Sequence, residues 1–419
     1  MWSAIEIEGW IRTRRHSLTG ARDAAAAIIR RVEMGGDPAL YDLARELDHV
    51  DLDALSVSNE ERERAYDAVD SVVTEALVEA ETRISAFHEL QRPPGLWLSE
   101  AEPGITLGVK TTPLARIGAY IPGGRAAYPS TALMCTIPAR VAGVAEICVC
   151  SPPPIHPLTL VALDIAGVDE IYRIGGAQAI AAMALGTESI APVQKIVGPG
   201  NVYVTAAKQL LQDRVEIDFP AGPSEVAIIA DHTGMPEFIA ADVIAQVEHD
   251  PHAAAVLITT EPSLARAVEA EIERLAAAEE RREIVEIALE HSGYVIVDTL
   301  ESAASAADRI APEHLSLMVA DPLTVLGAVH NAGSIFLGPH TPVTCGDYAS
   351  GTNHVLPTAG HAATRSGLDV RHFCKTSTVQ QLTRAGLERI ADTVETIATA
   401  EGLTAHANSV RIRRSRNID

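Results

Sequence analysis

Between residues 115 and 337 the chain alternates short apolar runs with longer segments of helical character, and it does so in two successive series. The first series has apolar runs at 116–121, 145–150, 170–174 and 195–197, interleaved with helix-like stretches at 130–144, 157–168, 177–185 and 201–211. The second has runs at 226–230, 255–259, 294–297, 315–319 and 334–337, interleaved with 236–247, 263–290, 300–310 and 322–331. Short continuous apolar runs are the mark of strands buried on both faces, and the gaps between them hold a crossover helix. Each series therefore predicts βαβ units and a parallel sheet. The expected fold class is α/β with two open sheets. Such sheets bind ligands at their strand carboxyl ends, so a cleft between the two is the natural site.

The flanks read differently. Asp37-Pro38 is a helix N-cap followed by a proline in the first turn, opening 39–47, and 58–90 carries apolar residues at helical spacing. Residues 379–401 read as helix again, followed by a polar tail with little core of its own. A tail of that kind is expected to dock on a partner subunit. A chain of 419 residues suggests two or three domains. Only 4% of residues are aromatic while 47% are hydrophobic, which favours aliphatic helices and strands over an aromatic-cored all-β fold.

Charge excludes some partners. Lys and Arg total 33 against 56 acids, a net −23, and so negative a surface repels nucleic acid and anionic membrane. Arg411, Arg413, Arg414 and Arg416 form a short basic tail, read as a solvated terminus. The start of the chain carries acids early and lacks the apolar segment of a signal peptide, and no stretch approaches the roughly 20 apolar residues of a spanning helix. Five cysteines do not suggest a disulfide framework, and Cys148 and Cys150 alternate within an apolar run like buried strand residues. A cytoplasmic protein is expected.

Several polar groups have spacings that suit chemistry. Gln246 and His249 stand three apart in a segment patterned as helix, which puts them on one face. Asp347 lies in what reads as a glycine-bearing loop, 345–354, and His406 follows Glu401 at the end of the terminal helix. Two imidazoles and a carboxylate suit Zn²⁺, with an amide oxygen as an unusual fourth ligand. Spacing alone does not single out this set, because 15 histidines offer many triplets. Glu313-His314, placed where a helix hands over to a strand, offers a general base beside a carboxylate, although such pairs are also ordinary on surfaces. Tyr120-Ile121-Pro122-Gly123-Gly124, Gly175-Gly176-Ala177-Gln178 and Gly198-Pro199-Gly200-Asn201 each follow an apparent strand and precede a helix, exposing backbone N–H groups that suit phosphates. No G-x-G-x-x-G with a downstream ribose-binding acid is present, so any dinucleotide site must be of another kind. Ser224, in the tight turn Gly222-Pro223-Ser224-Glu225, lacks the setting of a hydrolase nucleophile.

Taken in order over nearly the whole chain, these motifs resemble the histidinol dehydrogenase family. The resemblance is carried by 120–124, 175–178, 198–201, 219–225, 246–250, 311–315, 401–406 and, most specifically, 346–357. It implies that Gln246, His249, Asp347 and His406 hold zinc and that Glu313 and His314 are the catalytic pair. It further implies that Ser224, Gln246, His249, His314, Asp347, Glu401 and His406 contact L-histidinol, and that Tyr120, Gln178 and Asn201 line an NAD site. The implied fold has two incomplete Rossmann-like domains similar to aldehyde dehydrogenases, with helical extensions at both termini. Its expected division is an extension at 1–20, a larger domain from 21–119 and 225–367, a smaller NAD-turn domain at 120–224, and a helical tail at 368–419. In the family that tail is swapped in a homodimer, so Glu401 and His406 would complete the neighbour's site. Three rivals stand beside this reading. One is a same-fold dehydrogenase of another small polar alcohol, such as a sulfonated diol. A zinc hydrolase with Glu313 as base is disfavoured by the missing H-E-x-x-H. A catalytically dead paralogue is disfavoured by the complete polar set.

Overall fold

A computed structural model describes residues 2–14, 19–123, 127–220 and 222–416. Gly124 and Ala221, which belong to two of the motifs above, lie outside the described residues. The chain divides into two compact units, one of Met1–Gln91 with Leu114–Phe373, the other of Arg92–Pro113 with Cys374–Asp419. The strands in chain order are β1 (Ser3–Ala4), β2 (Leu96–Glu102), β3 (Ile105–Pro113), β4 (Arg116–Tyr120), β5 (Glu146–Ser151), β6 (Glu170–Arg173) and β7 (Lys195–Val197). They continue as β8 (Glu216–Ile217), β9 (Glu225–Ala230), β10 (Ala254–Thr259), β11 (Gly293–Ile296), β12 (His314–Met318), β13 (Ser334–Leu337) and β14 (Cys374–Leu382).

The first unit holds two parallel sheets, as the two series of apolar runs predict. One has the order β6-β5-β4-β7-β8 and the other β1-β11-β10-β9-β12-β13. Every residue of β4, β7, β9, β10 and β12 is buried, which is why these strands read as mainly apolar runs instead of strictly alternating ones. Cys148 and Cys150 are fully buried in β5, as their strand setting suggests. In the five-stranded sheet the chain builds outward from β4 to β6, then returns to the other side of β4 for β7 and β8. The order therefore reverses between β4 and β7, and a crevice opens at such a reversal. Helices cover the sheets where the sequence places them: Pro236–Val247 opens on a first-turn proline, and Pro129–Ala142 stops at Gly143, whose φ of 90° an L-residue resists. Asp37-Pro38 also marks a restart, since Gly36 breaks helical geometry within Thr19–Leu43 at φ 53°.

Three segments differ from the sequence reading. The stretch 263–290 is two helices, Pro262–Ala276 and Arg282–Leu289, because the charged run Glu279-Glu280-Arg281 brings nothing apolar to the sheet. The stretch 322–331 keeps only a short helix, Pro322–Leu326. Residues 379–382 belong to β14, and the following helix begins at Arg384, capped by Thr383 accepting from Gly386 N at 3.2 Å.

The second unit is a three-stranded antiparallel sheet, β14-β3-β2, with the helices Arg384–Ala400 and Thr404–Ser415. Its arginines are not merely solvated: Arg414 pairs with Glu388, Asp392 and Glu395, and Arg411 with Glu395, tying the two helices together. Among the described residues no helix is long and apolar enough to cross a membrane.

Candidate active site

Glu313 and His314 sit where one helix is forced to stop. Leu300–Ile310 ends at Ala311, whose φ of 49° is left-handed, and Pro312 cannot continue the helix. The chain then enters β12 at His314, which pairs with Val226 of β9 and Ser334 of β13. Glu313 and His314 are thus fixed at the amino-terminal edge of a central strand, and both are buried. Ser224 directly precedes β9 and reaches the same edge. The expectation of a site at strand carboxyl ends therefore fails for the six-stranded sheet. Helix carboxyl termini return to this edge, and their loops carry the polar groups.

A chain of hydrogen bonds links these groups. Gln246 Nε2 donates to Ser224 Oγ at 2.7 Å, and Ser224 Oγ donates to Glu313 Oε2 at 2.5 Å. The Glu225 backbone N–H donates to the same carboxylate oxygen at 3.0 Å. Burial nevertheless outweighs these donors and pushes the Glu313 carboxyl up to about 7, with the charge of Asp347 adding to the rise. Near neutrality Glu313 can both hold and release a proton. His314 lies between two carboxylates, its Nδ1 3.8 Å from Glu313 Oε2 and its Nε2 3.8 Å from Asp347 Oδ1. Burial lowers its pKa and so favours the neutral imidazole, and among the described residues neither ring nitrogen has a hydrogen-bond partner. Buried polar nitrogens left open in this way are a costly feature unless a ligand fills them.

Asp347 lies on the short helix Val343–Tyr348 and not in a loop. Gly346 beside it still fulfils the close approach the sequence suggests, since a methyl group there would meet the Phe336 ring at 2.7 Å. Gln246 is buried in the last turn of Pro236–Val247, and His249 lies two residues beyond that helix, exposed. The charge of His249 acts on Glu313, His314 and Asp347 alike, which places it beside them. Glu401 and His406 lie in the second unit, at the end of one helix and the start of the next, and both are exposed. Among the described residues no three His, Cys, Asp or Glu side chains gather tightly enough to hold a metal by themselves. What the first unit brings near one another is an amide, an imidazole and a carboxylate, nitrogen and oxygen donors of the kind Zn²⁺ accepts.

The three nucleotide-type turns come together on the other sheet, at its strand carboxyl ends. Tyr120 closes β4, and its hydroxyl accepts from Gly176 N at 3.1 Å. Gln178, buried, lies in the first turn after β6. Gly198 packs so closely on β4 that a methyl group there would lie 2.2 Å from Tyr120 O. Asn201 caps the next helix, its Oδ1 accepting from Tyr203 N and Val204 N. The sheets are joined near the reacting groups, because Thr131, at the start of the helix after β4, meets His354 Nε2 at 3.3 Å, and His354 Nδ1 lies 2.8 Å from Asp347 O.

Two supporting residues escape sequence reasoning. Arg14 and Glu225 form a buried pair at 3.2 Å, and Arg14 also donates to the carbonyls of Pro223, Ser224 and His252. No local pattern signals a contact spanning 211 positions. His354 is the other: it stands within the most specific motif, so its presence was legible and its bridging role was not.

Two parallel sheets, one edged by glycine turns and the other by a buried carboxyl–imidazole pair, define an α/β enzyme equipped for proton transfer. Residues 11–414 match the sequence pattern of the family described as histidinol dehydrogenase. The histidinol dehydrogenase of Methanosarcina mazei is 50% identical over 405 residues, covering 96% of this chain and 94% of the relative. That of Methanothermobacter thermautotrophicus is 50% identical over 393 residues, covering 93% and 92%. The crystal structure of histidinol dehydrogenase from Elizabethkingia anophelis superposes with a TM-score of 0.93 at 36% identity, over 98% of this chain and 97% of that one. The chain belongs to the histidinol dehydrogenase family, and with it to the oxidoreductases.

Proposed function

We propose that this enzyme oxidises L-histidinol through L-histidinal to L-histidine, the closing steps of histidine biosynthesis, using two NAD per turnover in the cytoplasm. The observation that carries the reading is the buried His314, neutral and with both ring nitrogens open, beside a Glu313 whose pKa lies near 7. Family membership over nearly the whole chain supplies the substrate.

NAD, when bound, would accept one hydride in each half-reaction. Zinc, held by Gln246, His249, Asp347 and His406, would fix the substrate's amine and imidazole nitrogens. His314 Nε2, on the Asp347 side, takes the hydroxyl proton as the first hydride leaves, giving the aldehyde. Glu313 then takes a proton from a water as that water adds to the aldehyde carbon, while the protonated His314 gives its proton to the aldehyde oxygen, which forms the hydrate and leaves His314 neutral again. His314 removes a hydrate hydroxyl proton as the second hydride leaves, giving the carboxylic acid, which releases its remaining proton to solvent as the carboxylate. Ser224 keeps Glu313 aimed, and enclosure of the pair protects the aldehyde from side reactions. Tyr120, Gln178 and Asn201 line the dinucleotide cradle in this reading.

We further propose that the tail, 368–419, is exchanged in a homodimer so that Glu401 and His406 complete the neighbour's site. The second unit supports this, for it exposes Leu96, Trp97, Leu98, Ile397, Leu403 and Ile412. The deciding measurement is NADH yield from L-histidinol with zinc-loaded enzyme. Two NADH per substrate are expected, and no NADH at all would sink the proposal.

A further inference from the structure

The sequence lacks the acidic residue that follows the usual glycine fingerprint and holds a nucleotide ribose. The fold brings a carboxylate to the dinucleotide cradle from elsewhere. After the helix Thr19–Leu43 the chain makes one wider, π-helical turn, Ala44–Asp48, and stops at His49 in a left-handed conformation with φ 57°. Turns of this kind recur at functional sites. The stop delivers Asp48 to the turn that follows β6: its Oδ2 accepts from Gln178 Nε2 at 3.4 Å. Its Oδ1 lies 3.3 Å from where a Gly175 methyl group would sit, so the bare glycine leaves the carboxylate uncovered on that side. Tyr120 is close enough for the Asp48 charge to raise its hydroxyl pKa, after burial.

Asp48 is half-buried and has no ion-pair partner among the described residues. Burial raises its own pKa, and the Gln178 amide and the charge of neighbouring His49 only partly offset this. A carboxylate that accepts from an amide and forms no ion pair is suited to accept from neutral hydroxyl groups as well, and a vicinal diol offers two.

Topology says which diol. The reacting end of the crevice lies at β4, where Thr131 meets His354 beside Asp347. Asp48 stands at the β6 turn, two strands away across β5, or roughly 10 Å in the hydrogen-bonding direction. A dinucleotide with its nicotinamide at the reacting end presents its far ribose there. We infer that Asp48 binds the 2′- and 3′-hydroxyls of the adenosine ribose and thereby selects NAD over its 2′-phosphorylated form, whose extra phosphate the carboxylate repels. The inference rests on the dehydrogenase reading above.

The test uses the zinc-loaded enzyme with L-histidinol, comparing NAD, NADP and 2′-deoxy-NAD, in wild type and in Asp48→Asn. In the wild type, 2′-deoxy-NAD is expected to bind roughly tenfold or more weakly than NAD, a comparison that needs no variant to fold. In Asp48→Asn the KM for NAD rises by roughly the same factor while the KM for L-histidinol is unchanged, and the NAD-over-NADP preference falls roughly tenfold. A role confined to orienting Gln178 would raise the KM for NAD and NADP equally and leave the preference intact, which overturns the inference. Equal use of NAD and 2′-deoxy-NAD by the wild type overturns it too. A wild type that binds no NAD sinks the dehydrogenase reading itself, and this inference with it.

Discussion

At the scale of single residues, the chemistry depends on environment more than on residue type. Glu313 and Glu225 are both buried carboxyls within one hydrogen-bonded group, yet they do different work. Glu225 is tied to Arg14 and to Ala359 N, whereas Glu313 accepts from Ser224 Oγ and Glu225 N and has Asp347 and His249 as charged neighbours. Burial raises both carboxyls, and it pushes Glu313 up to about 7, where it can serve as a base for water. Glu313→Gln is accordingly expected to slow oxidation of L-histidinal by about 10²-fold or more. The L-histidinol step, measured as single-turnover NADH formation, should suffer much less. Equal losses in both halves would contradict the assigned role. The residue types at this site were legible in the sequence. Their pKa shifts were not, because burial is set by strands distant in the chain.

At the scale of elements, two features can be tested on the five-stranded sheet. Gly198 has φ 105° and lies against Tyr120 O, so Gly198→Ala must either strain its backbone or push the turn off β4. The expected outcome is a severalfold rise in the KM for NAD with the KM for L-histidinol preserved. An unchanged KM for NAD would detach this turn from the dinucleotide. The second feature is a ladder at the opposite edge of the sheet, where Arg116 of β4 bonds Glu146 of β5 and Glu170 of β6 at 2.7–2.8 Å. Arg116 holds the Glu170 pKa below its ordinary value, so this carboxylate binds protons less readily folded than unfolded. Its contribution is present above the unfolded value near 4.5 and is lost as pH falls through the lower folded value. Arg116→Met should therefore lower the melting temperature at pH 7, with the deficit shrinking toward pH 3. A deficit independent of pH would assign the loss to packing alone. Helix and strand positions on this sheet follow closely from periodicity. β14 does not, because residues 379–382 carry no apolar run and owe their strand to pairing with β3.

At the scale of the whole molecule, the proposed exchange of tails would make each site depend on His406 of the partner subunit. His406→Asn and Asp347→Asn should each be inactive as pure enzymes, and each should lose zinc on metal analysis. If tails are exchanged between subunits, denaturing, mixing and refolding the two variants should restore measurable activity, because one site of each mixed dimer receives both native ligands. No recovery above the pure variants would mean that each chain completes its own site. The net charge of −23 bears on partners and not on this assembly, since the second unit presents its apolar residues alongside paired charges.

What the sequence determined by itself is the run of βαβ units, the burial of the strands and the family resemblance, since periodicity and motif order are properties of neighbouring residues. It also supplied Glu313, His314, Ser224 and Gln246 as a set. Tertiary structure alone decided that Glu313 and His314 occupy the amino-terminal edge of one sheet while the glycine turns occupy the carboxyl edge of the other. It alone joined Arg14 to Glu225 across 211 positions and Asp48 to Gln178 across 130. The physical reason is common to these cases. Strand order and helix docking are fixed by burial of the whole core, and no local window of the chain records which distant residues that burial brings together.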